Sequence, residues 1–329
     1  MALIMQRRLN VGERTNAAFA GGFTVVEMLI VISLIGILLT LLLPALQQAR
    51  GSARNIACRN ALRQIGVACN SMQSNTGYFP TVGKRYFPTG FSFSAQVQLL
   101  PYMEQTVFFE DLDLTGPVRT KLHMELLESS RLQIWQCPND ATEDVAAALY
   151  LGNDGFEMDD SFRKVHDGFL GEFPGPGLTP ADFTDGLSNT AAFSEVASFR
   201  GSKTFSDGYF GLPRENLSRN EWSEFLSECS RIRLLMPDAR PISQVGDFWL
   251  NGFIGTSSYA HYLPPGSNSC FETKSGSGSL AVPTATSRHG GFVNTLLADG
   301  SIRPFSFSTD AAVWQSTGIR SDGNGDFPE

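Results

Sequence analysis

The chain has 329 residues, with 33 acidic and 25 basic side chains and a formal net charge of −8 at pH 7. This acidity argues against a general nucleic-acid binder, because such proteins present basic patches to phosphates. The length is ample for one large domain, or for one domain with a sizeable insertion. The 32 glycines, 17 prolines and 25 phenylalanines indicate turn-rich β-structure.

The first 22 residues form a short basic segment that carries Arg7, Arg8 and Arg14 against Glu13. This segment has no apolar region of its own, unlike a secretory signal peptide, which is cut after its apolar stretch. The apolar stretch follows it instead and would remain on the mature chain. We interpret residues 1–22 as a leader because the phrase that begins at Gly22 resembles a processing signal.

An apolar run of 21 residues extends from Phe23 to Leu43. As a helix it would be about 32 Å long, enough to span the hydrocarbon core of a membrane. Its single ionised side chain is Glu27. A carboxylate costs roughly 2.5–3.5 kcal/mol at the centre of a membrane helix, so Glu27 is expected to need a partner. The alternative is a simple anchor that tolerates a glutamate near the interface.

The phrase Gly22-Phe23-Thr24-x-x-Glu27, followed by the apolar run, resembles the prepilin processing signal of type IV pilins (class III). The resemblance implies cleavage between Gly22 and Phe23 by a cytoplasmic-face prepilin peptidase, and then N-methylation of Phe23. Gly22 suits cleavage because a residue without Cβ lets an enzyme approach the backbone closely. In a filament, Glu27 would pair with the Phe23 amine of a neighbouring subunit, since the two charges offset each other in lipid.

The orientation of the membrane span rests on this signal. The span is followed by four arginines, Arg50, Arg54, Arg59 and Arg63. The positive-inside rule would keep these arginines in the cytoplasm. The processing signal requires a cytoplasmic N-terminus instead. We expect a single pass through the bacterial cytoplasmic membrane, with the head in the periplasm or at the cell surface. The expected partners are the prepilin peptidase/methyltransferase, membrane lipid and pilin-like subunits, and no nucleic acid.

The apolar pattern continues beyond Pro44 at steps of three or four, which predicts an amphipathic second half of one long helix. The stripe is Leu46, Ala49, Ala53, Ala57, Ala61, Ile65, Ala68 and Met72. Its alanines would let a flat sheet approach closely, and Gly77 predicts the helix end. The resulting fold class is α+β, a pilin-like helix packed on an antiparallel β-sheet head with insertions. The boundaries are 23–44 for the transmembrane half, 45–75 for the amphipathic half and 76–329 for the head.

Short strands broken by turns are predicted along the head. Residues 92–100 form either a strand or a helical turn, and Pro101 predicts a helix entry after them. Residues 120–130 are predicted to be helical. Near the C-terminus, residues 292–298 alternate in polarity before Asp299-Gly300, which predicts a β-hairpin with a two-residue turn.

Six phrases along the chain resemble the DUF1559 family, which joins a prepilin signal to a large head. They are residues 58–66 (CRNALRQIG), 99–105 (LLPYMEQ), 137–140 (CPND), 185–190 (DGLSNT) with Glu195, 262–270 (YLPPGSNSC), and His289 followed after nine residues by Asp299-Gly300. The resemblance spans the chain to about residue 317. It implies a tethered head without assigning it a chemical reaction.

Five cysteines are present, and none forms a C-x-x-C pair. The four histidines lie far from them in sequence, so a zinc site is not favoured. In an oxidising compartment one or two disulfides are expected, with at least one thiol left over. Cys58 and Cys137 both lie in family phrases, and a disulfide between them would tie the helix to the head.

The remaining candidate sites favour structural interpretations. His289 and Asp299 could form a dyad, but no nucleophile phrase such as G-x-S-x-G accompanies them; ligand or metal binding and catalysis stay as alternatives. Asp185 and Asn189 indicate an Asx-type turn, and Glu195 closes the following strand.

A polar tail near the C-terminus spaces Asp322, Asn324 and Asp326 like the first half of a calcium loop. The bidentate glutamate that completes such a loop is missing, so a frayed tail is the alternative. No other cofactor is expected.

Two functions fit these patterns. The first is a non-enzymatic pilin- or pseudopilin-like subunit, and the second is a tethered module that binds a glycan or another polymer and does not polymerise. A tethered hydrolase is a weaker third. Trp222 or Trp249 lining a groove would favour binding, whereas charged self-complementary faces would favour assembly.

Overall fold

A computed structural model describes residues 24–84, 92–130, 132–140, 144–155, 166–171, 175–197, 209–212, 219–235, 248–252, 256–272 and 281–321. Gly22 and Phe23 of the predicted processing signal lie outside these residues, as do Asp322, Asn324 and Asp326 of the calcium candidate. The chain divides into two units, Met1–Arg50 and Gly51–Glu329.

Helix α1, Val25–Thr76, is 52 residues long and begins in the first unit. Its most apolar 18-residue window has a mean hydropathy of 2.8 and no buried residue, so this helix is long and apolar enough to cross a membrane. The helix runs through Pro44 without ending there.

A capping box closes the N-terminus of α1. The Glu27 carboxylate accepts hydrogen bonds from the Thr24 amide and hydroxyl, both at 2.9 Å, and the Thr24 hydroxyl accepts from the Glu27 amide at 3.3 Å. These bonds satisfy amide groups that the helix itself leaves without partners. The sequence T-x-x-E encodes this motif, so the structure gives Glu27 a capping role within its own helix.

The second half of α1 packs on the head along a face that begins at Cys58. Its buried residues are Cys58, Ala61, Leu62, Ile65, Gly66, Ala68, Cys69 and Met72. The predicted stripe is buried from Ala61 onwards, but its first four members, Leu46, Ala49, Ala53 and Ala57, are exposed, and the buried face begins at Cys58 instead. The helix ends at Thr76, and Gly77 follows with a φ of +86°, as predicted.

The other helices and strands are short. In chain order they are β1 Gly83–Lys84, β2 Phe93–Ser94, α2 Ala95–Leu99, α3 Thr106–Glu110, α4 Lys121–Ser129, β3 Tyr150–Asn153, β4 Ala191–Glu195, β5 Tyr209–Leu212, α5 Arg219–Leu235, β6 Ser258–Tyr259, β7 Ser269–Glu272, β8 Ala281–Val282, β9 Phe292–Leu297, β10 Ile302–Ser306 and α6 Ala311–Gly318. Residues 92–100 thus contain both a strand and a helix, and α4 matches the predicted helix.

Three sheets form in the described part of the chain. The largest has the strand order β10-β9-β4-β3-β6, antiparallel except for the β3–β6 pair. The other two are β5-β7-β8 and β1-β2. β9 pairs with β10 on one side and β4 on the other, and its residues from Val293 to Leu297 are buried on both faces. The α+β fold predicted from the sequence is confirmed.

Two apolar cores support these sheets. The main core contains Trp135, Trp249 and Trp314, all fully buried. A smaller core surrounds the disulfide between Cys229 and Cys270. Trp249 therefore does not line an open groove, because its indole packs inside the protein. Trp222 packs against Phe225 and Tyr262 at the smaller core.

The predicted hairpin forms from β9 and β10, but its turn is longer than predicted. The Leu297 carbonyl accepts from the Gly300 amide at 2.9 Å, and the Leu297 amide donates to the Ser301 carbonyl at 2.8 Å. Three residues, 298–300, therefore lie between the paired ends. Gly300 has a φ of +90°, whereas Asp299 keeps a negative φ. This is the three-residue loop that ends in a left-handed glycine.

We expect Gly300→Val to destabilise the full chain by about 1–3 kcal/mol, because a β-branched residue is strained at this φ. The added Cβ itself has room, since its nearest neighbour would be Asn70 Nδ2 at 3.4 Å. Gly300→Asn is the matched control and should cost less, as asparagine tolerates left-handed backbone. Thermal melting of the detergent-solubilised chain measures both. Equal melting temperatures for the two variants would contradict this explanation.

Candidate functional site at the helix–sheet junction

Four buried side chains from distant parts of the sequence meet where α1 packs on the sheet. We call them the junction cluster: Cys58, Cys137, Glu195 and His289. Cys58 lies on α1, Cys137 follows a 3-10 turn at Gln133–Trp135, Glu195 ends β4, and His289 precedes β9. The side chains of Glu195 and His289 are each only 2% exposed. The cluster therefore lies away from bulk water.

Cys58 and Cys137 are joined in a disulfide, the pairing favoured from the family phrases. Cys229 and Cys270 form the second disulfide. Cys69 is the remaining thiol; it is buried, and burial raises its pKa well above the usual value. Two disulfides and one thiol agree with the expectation from the cysteine count.

The loop before β9 positions His289. The His289 amide donates to the Ser287 hydroxyl at 3.1 Å, and that hydroxyl donates to the Phe292 carbonyl. Gly290 and Gly291 then adopt positive φ values, +70° and +105°, which let the chain turn into the strand. The imidazole stacks on Phe292, with centroids 5.6 Å apart. These contacts fix the ring over the end of the sheet.

Glu195 is the partner of His289. His289 Nε2 lies 3.0 Å from Glu195 Oε1. Asn294 supports the same carboxylate: its amide donates to Oε2 at 2.8 Å and its side-chain Nδ2 donates to Oε1 at 3.1 Å. Asn294 Nδ2 also donates to Asn55 Oδ1 on α1, at 2.9 Å. The carboxylate is thus paired and hydrogen-bonded, as a buried charge requires.

The disulfide lies beside this pair. Cys137 Sγ is 3.5 Å from His289 Nε2. On the other side of the imidazole, Asn139 Nδ2 lies 3.5 Å from His289 Nδ1 and donates to the Arg288 carbonyl. Tyr150 packs nearby, and burial together with the charge of Glu195 raises the pKa of its hydroxyl well above 10.0, which keeps it neutral.

A His289–Asp299 dyad, one alternative from the sequence, is wrong. His289 precedes β9 and Asp299 follows it, so a six-residue strand of about 20 Å separates them. Asp299 Oδ1 accepts instead from the Ser301 amide at 2.8 Å. The histidine and the aspartate of the H-x9-D-G motif therefore lie at opposite ends of one strand.

The turn at residues 185–190 meets the hairpin turn. Asn189 Nδ2 donates to the Asp185 carbonyl at 2.8 Å, and Gly186 has a φ of +95°. The Asp299 amide donates to the Leu187 carbonyl at 3.1 Å. The local hydrogen bonding predicted for Asn189 is present, and it places the two motif turns side by side.

Three asparagines that were not predicted as site residues lie around the junction cluster: Asn55, Asn139 and Asn294. Asn294 can be recognised from the sequence, since it is polar whereas Phe292 and Leu296 on the same face of the strand are apolar, and buried polar groups need partners. Asn139 lies within the CPND phrase. Asn55 offers no signal, because nothing in the sequence distinguishes it from a solvated helix residue.

The cluster brings together four groups that are common zinc ligands. One atom from each of its four residues lies within 4.8 Å of the others. A zinc site was not favoured from the sequence because the histidines lie far from the cysteines along the chain. In the fold, however, His289 lies next to Cys137 although 152 positions separate them. With both sulfurs in the disulfide, neither is a free nucleophile.

A separate groove of about 560 Å³ lies between α1 and the segment 102–105. Its lining is Asn60, Arg63, Gln64, Val67, Tyr102, Met103, Glu104, Gln105 and Ile134. Glu104 has a φ of +58° and is the one non-glycine residue in the described ranges with a positive φ. The phrases CRNALRQIG and LLPYMEQ thus face each other across this groove.

Of three comparisons with known proteins, the one with family models gives a match, to the family that the motif phrases resemble. No curated protein and no solved structure matches the chain. The family model described as "Protein of unknown function (DUF1559)" matches residues 47–312, which include the junction cluster and both sides of the groove. The chain belongs to the DUF1559 family.

Proposed function

We propose that the chain is a non-enzymatic pilin- or pseudopilin-like subunit, processed by a prepilin peptidase and held in the bacterial cytoplasmic membrane by the first half of α1. The head would lie outside the cytoplasm and could be drawn with its helix into a filament. The observation that carries the proposal is the division of α1: its N-terminal part is apolar and unburied, and the part from Cys58 to Met72 is packed on the sheet.

The contacts of the second half of α1 fit such a subunit. A disulfide at Cys58 and the Asn55–Asn294 hydrogen bond attach the helix to the head. A Cβ at Gly66 would lie 2.9 Å from Leu296 Cδ1, so glycine lets β9 approach the helix closely. A helix attached at several points can carry its head with it when the chain moves out of the membrane.

Glu27 offers a test that separates assembly from helix capping. Glu27→Leu removes both the charge and the capping oxygen, whereas Glu27→Gln removes the charge and keeps a capping-box side chain. If Glu27 pairs with the Phe23 amine of a neighbouring subunit, both variants should insert normally and both should be lost from surface-sheared material. We expect at least a tenfold loss, measured by immunoblot of sheared and membrane fractions.

Normal incorporation of Glu27→Gln alongside failure of Glu27→Leu would assign Glu27 to capping alone. Normal incorporation of both variants would remove the carboxylate from assembly altogether. Thr24→Ala is the matched control, since it disturbs the same capping box without touching the charge.

A tethered binding module is the second candidate, and the groove between α1 and residues 102–105 favours it. Its wall presents an arginine, a glutamate and carboxamides, groups suited to a polar polymer such as a glycan. Under this candidate the chain forms no filaments, and Arg63→Ala and Gln64→Ala should each weaken the binding of the detergent-solubilised chain to a glycan array. Loss of filaments without any glycan signal would favour the first candidate.

A further inference from the structure

We propose that the junction cluster has a second state, in which the reduced cysteines together with Glu195 and His289 bind one Zn²⁺ ion or a divalent cation of the same class. The disulfide and the metal site would be alternative cross-links between α1 and the head. The disulfide ties Cys58 on α1 to Cys137 alone, whereas the metal would tie it to Cys137, Glu195 and His289.

The spacing of the ligand atoms fits a tetrahedral site. Zinc bonds of about 2.0–2.3 Å place neighbouring ligand atoms about 3.3–3.8 Å apart. All four ligand atoms of the cluster already lie within 4.8 Å of one another. His289 Nε2 is 3.5 Å from Cys137 Sγ and 3.0 Å from Glu195 Oε1. Apart from the two bonded sulfurs, only small shifts are needed.

The sulfurs can separate without a large backbone movement. The Cα atoms of Cys58 and Cys137 are 5.3 Å apart. Once the S–S bond is broken, rotation about each Cα–Cβ bond can move the sulfurs to the spacing that a shared cation requires. Two thiolates, one imidazole and one carboxylate then give the four protein ligands of a closed, structural zinc site.

Two asparagines next to the cluster can support its ligands. Asn294 holds both carboxylate oxygens of Glu195, at 2.8 and 3.1 Å. The Asn139 carboxamide lies beside His289 Nδ1, with its Nδ2 at 3.5 Å, and a turn of that carboxamide would present its oxygen to the proton that Nδ1 carries when Nε2 binds a cation. Such outer contacts orient metal ligands and raise affinity. A divalent cation would also offset the negative charges that the reduced cluster gathers in a buried place.

The chemistry that connects the two states is a thiol–disulfide exchange. A dithiol reductant gives two electrons and two protons to the Cys58–Cys137 bond and is itself oxidised to a disulfide. The two protein thiols then release two protons as Zn²⁺ binds their thiolates. In the reverse direction, oxidation of the sulfurs expels the cation. The metal state therefore belongs to a reducing environment and the disulfide to an oxidising one.

Cobalt is the probe for the test, because Co²⁺ bound tetrahedrally by thiolates gives strong visible and thiolate-to-metal absorption bands. The detergent-solubilised full chain is reduced with a phosphine under nitrogen and titrated with Co²⁺, then with Zn²⁺. We expect the bands to saturate at one Co²⁺ per chain and to disappear as Zn²⁺ displaces it. The oxidised chain should give no bands.

Paired variants assign the signal to the cluster. Cys229→Ser/Cys270→Ser removes the other cysteine pair and should keep the bands. Cys58→Ser/Cys137→Ser should abolish them. His289→Ala and Glu195→Gln should weaken Co²⁺ binding at least tenfold, with circular dichroism recording whether each chain is folded.

Three results would overturn the proposal. One is the absence of thiolate bands in the reduced wild-type chain, whether or not that chain stays folded. Another is an unchanged signal in Cys58→Ser/Cys137→Ser. The third is an unchanged Co²⁺ affinity in His289→Ala and Glu195→Gln. That result would mean that the thiols bind the metal without the rest of the cluster.

Discussion

A Gly22→Asp variant is expected to accumulate in the membrane with its 22-residue leader attached. The reason lies at the cleavage site, where a residue without Cβ lets the peptidase approach the backbone and a charged side chain would block it. Mass analysis of the purified chain should find the intact N-terminus in the variant and a methylated Phe23 N-terminus in the wild type. Processing should fall by at least tenfold.

Gly21→Ala is the matched control, because it adds a small side chain one residue upstream of the cleaved bond. It should be processed like the wild type. A mature wild-type N-terminus at any position other than Phe23 would remove the basis of the pilin-like proposal, whatever the variants do.

Removal of the junction disulfide should produce the largest loss of stability. Cys58 and Cys137 are 79 residues apart, and in the chain-entropy model closing a loop of that length stabilises the fold by about 4–5 kcal/mol. Cys58→Ser/Cys137→Ser should lower the free energy of unfolding by roughly that amount. Denaturant unfolding of the detergent-solubilised chain under oxidising conditions measures it.

The second disulfide provides a matched comparison. Cys229 and Cys270 are 41 residues apart and support the smaller core, so their loss should cost about 4 kcal/mol but leave α1 attached. Hydrogen exchange separates the two cases. Residues 58–72 of α1 should lose protection when the junction pair is replaced and keep it when the other pair is replaced. Equal loss of protection in both variants would contradict the role given to Cys58.

Local features of the fold could be predicted from the sequence because they depend on neighbouring residues. The end of α1 at Thr76 follows from Gly77, and α4 follows from a cap at Thr120 and its apolar spacing. The hairpin was predicted for the same reason. Its turn was assigned one residue too short, since the sequence Asp-Gly fits both a two-residue turn and the end of a three-residue loop.

The candidate site could be predicted only in part, because its contacts join residues far apart in the chain. Glu195 and His289 are 94 positions apart, and their pairing follows from the antiparallel neighbours β4 and β9. Strand order is not encoded in any local pattern. The sequence motif links His289 with Asp299, whereas its partner in the fold, Glu195, lies on the adjacent strand.

The most direct test of the pilin-like proposal is electron microscopy of surface-sheared material from cells that overproduce the chain with an epitope tag on the head. The proposal predicts thin filaments labelled along their length in the wild type, and none in Gly22→Asp. A wild-type chain that is cleaved before Phe23 yet remains wholly in the membrane fraction, with no labelled filament, would contradict it.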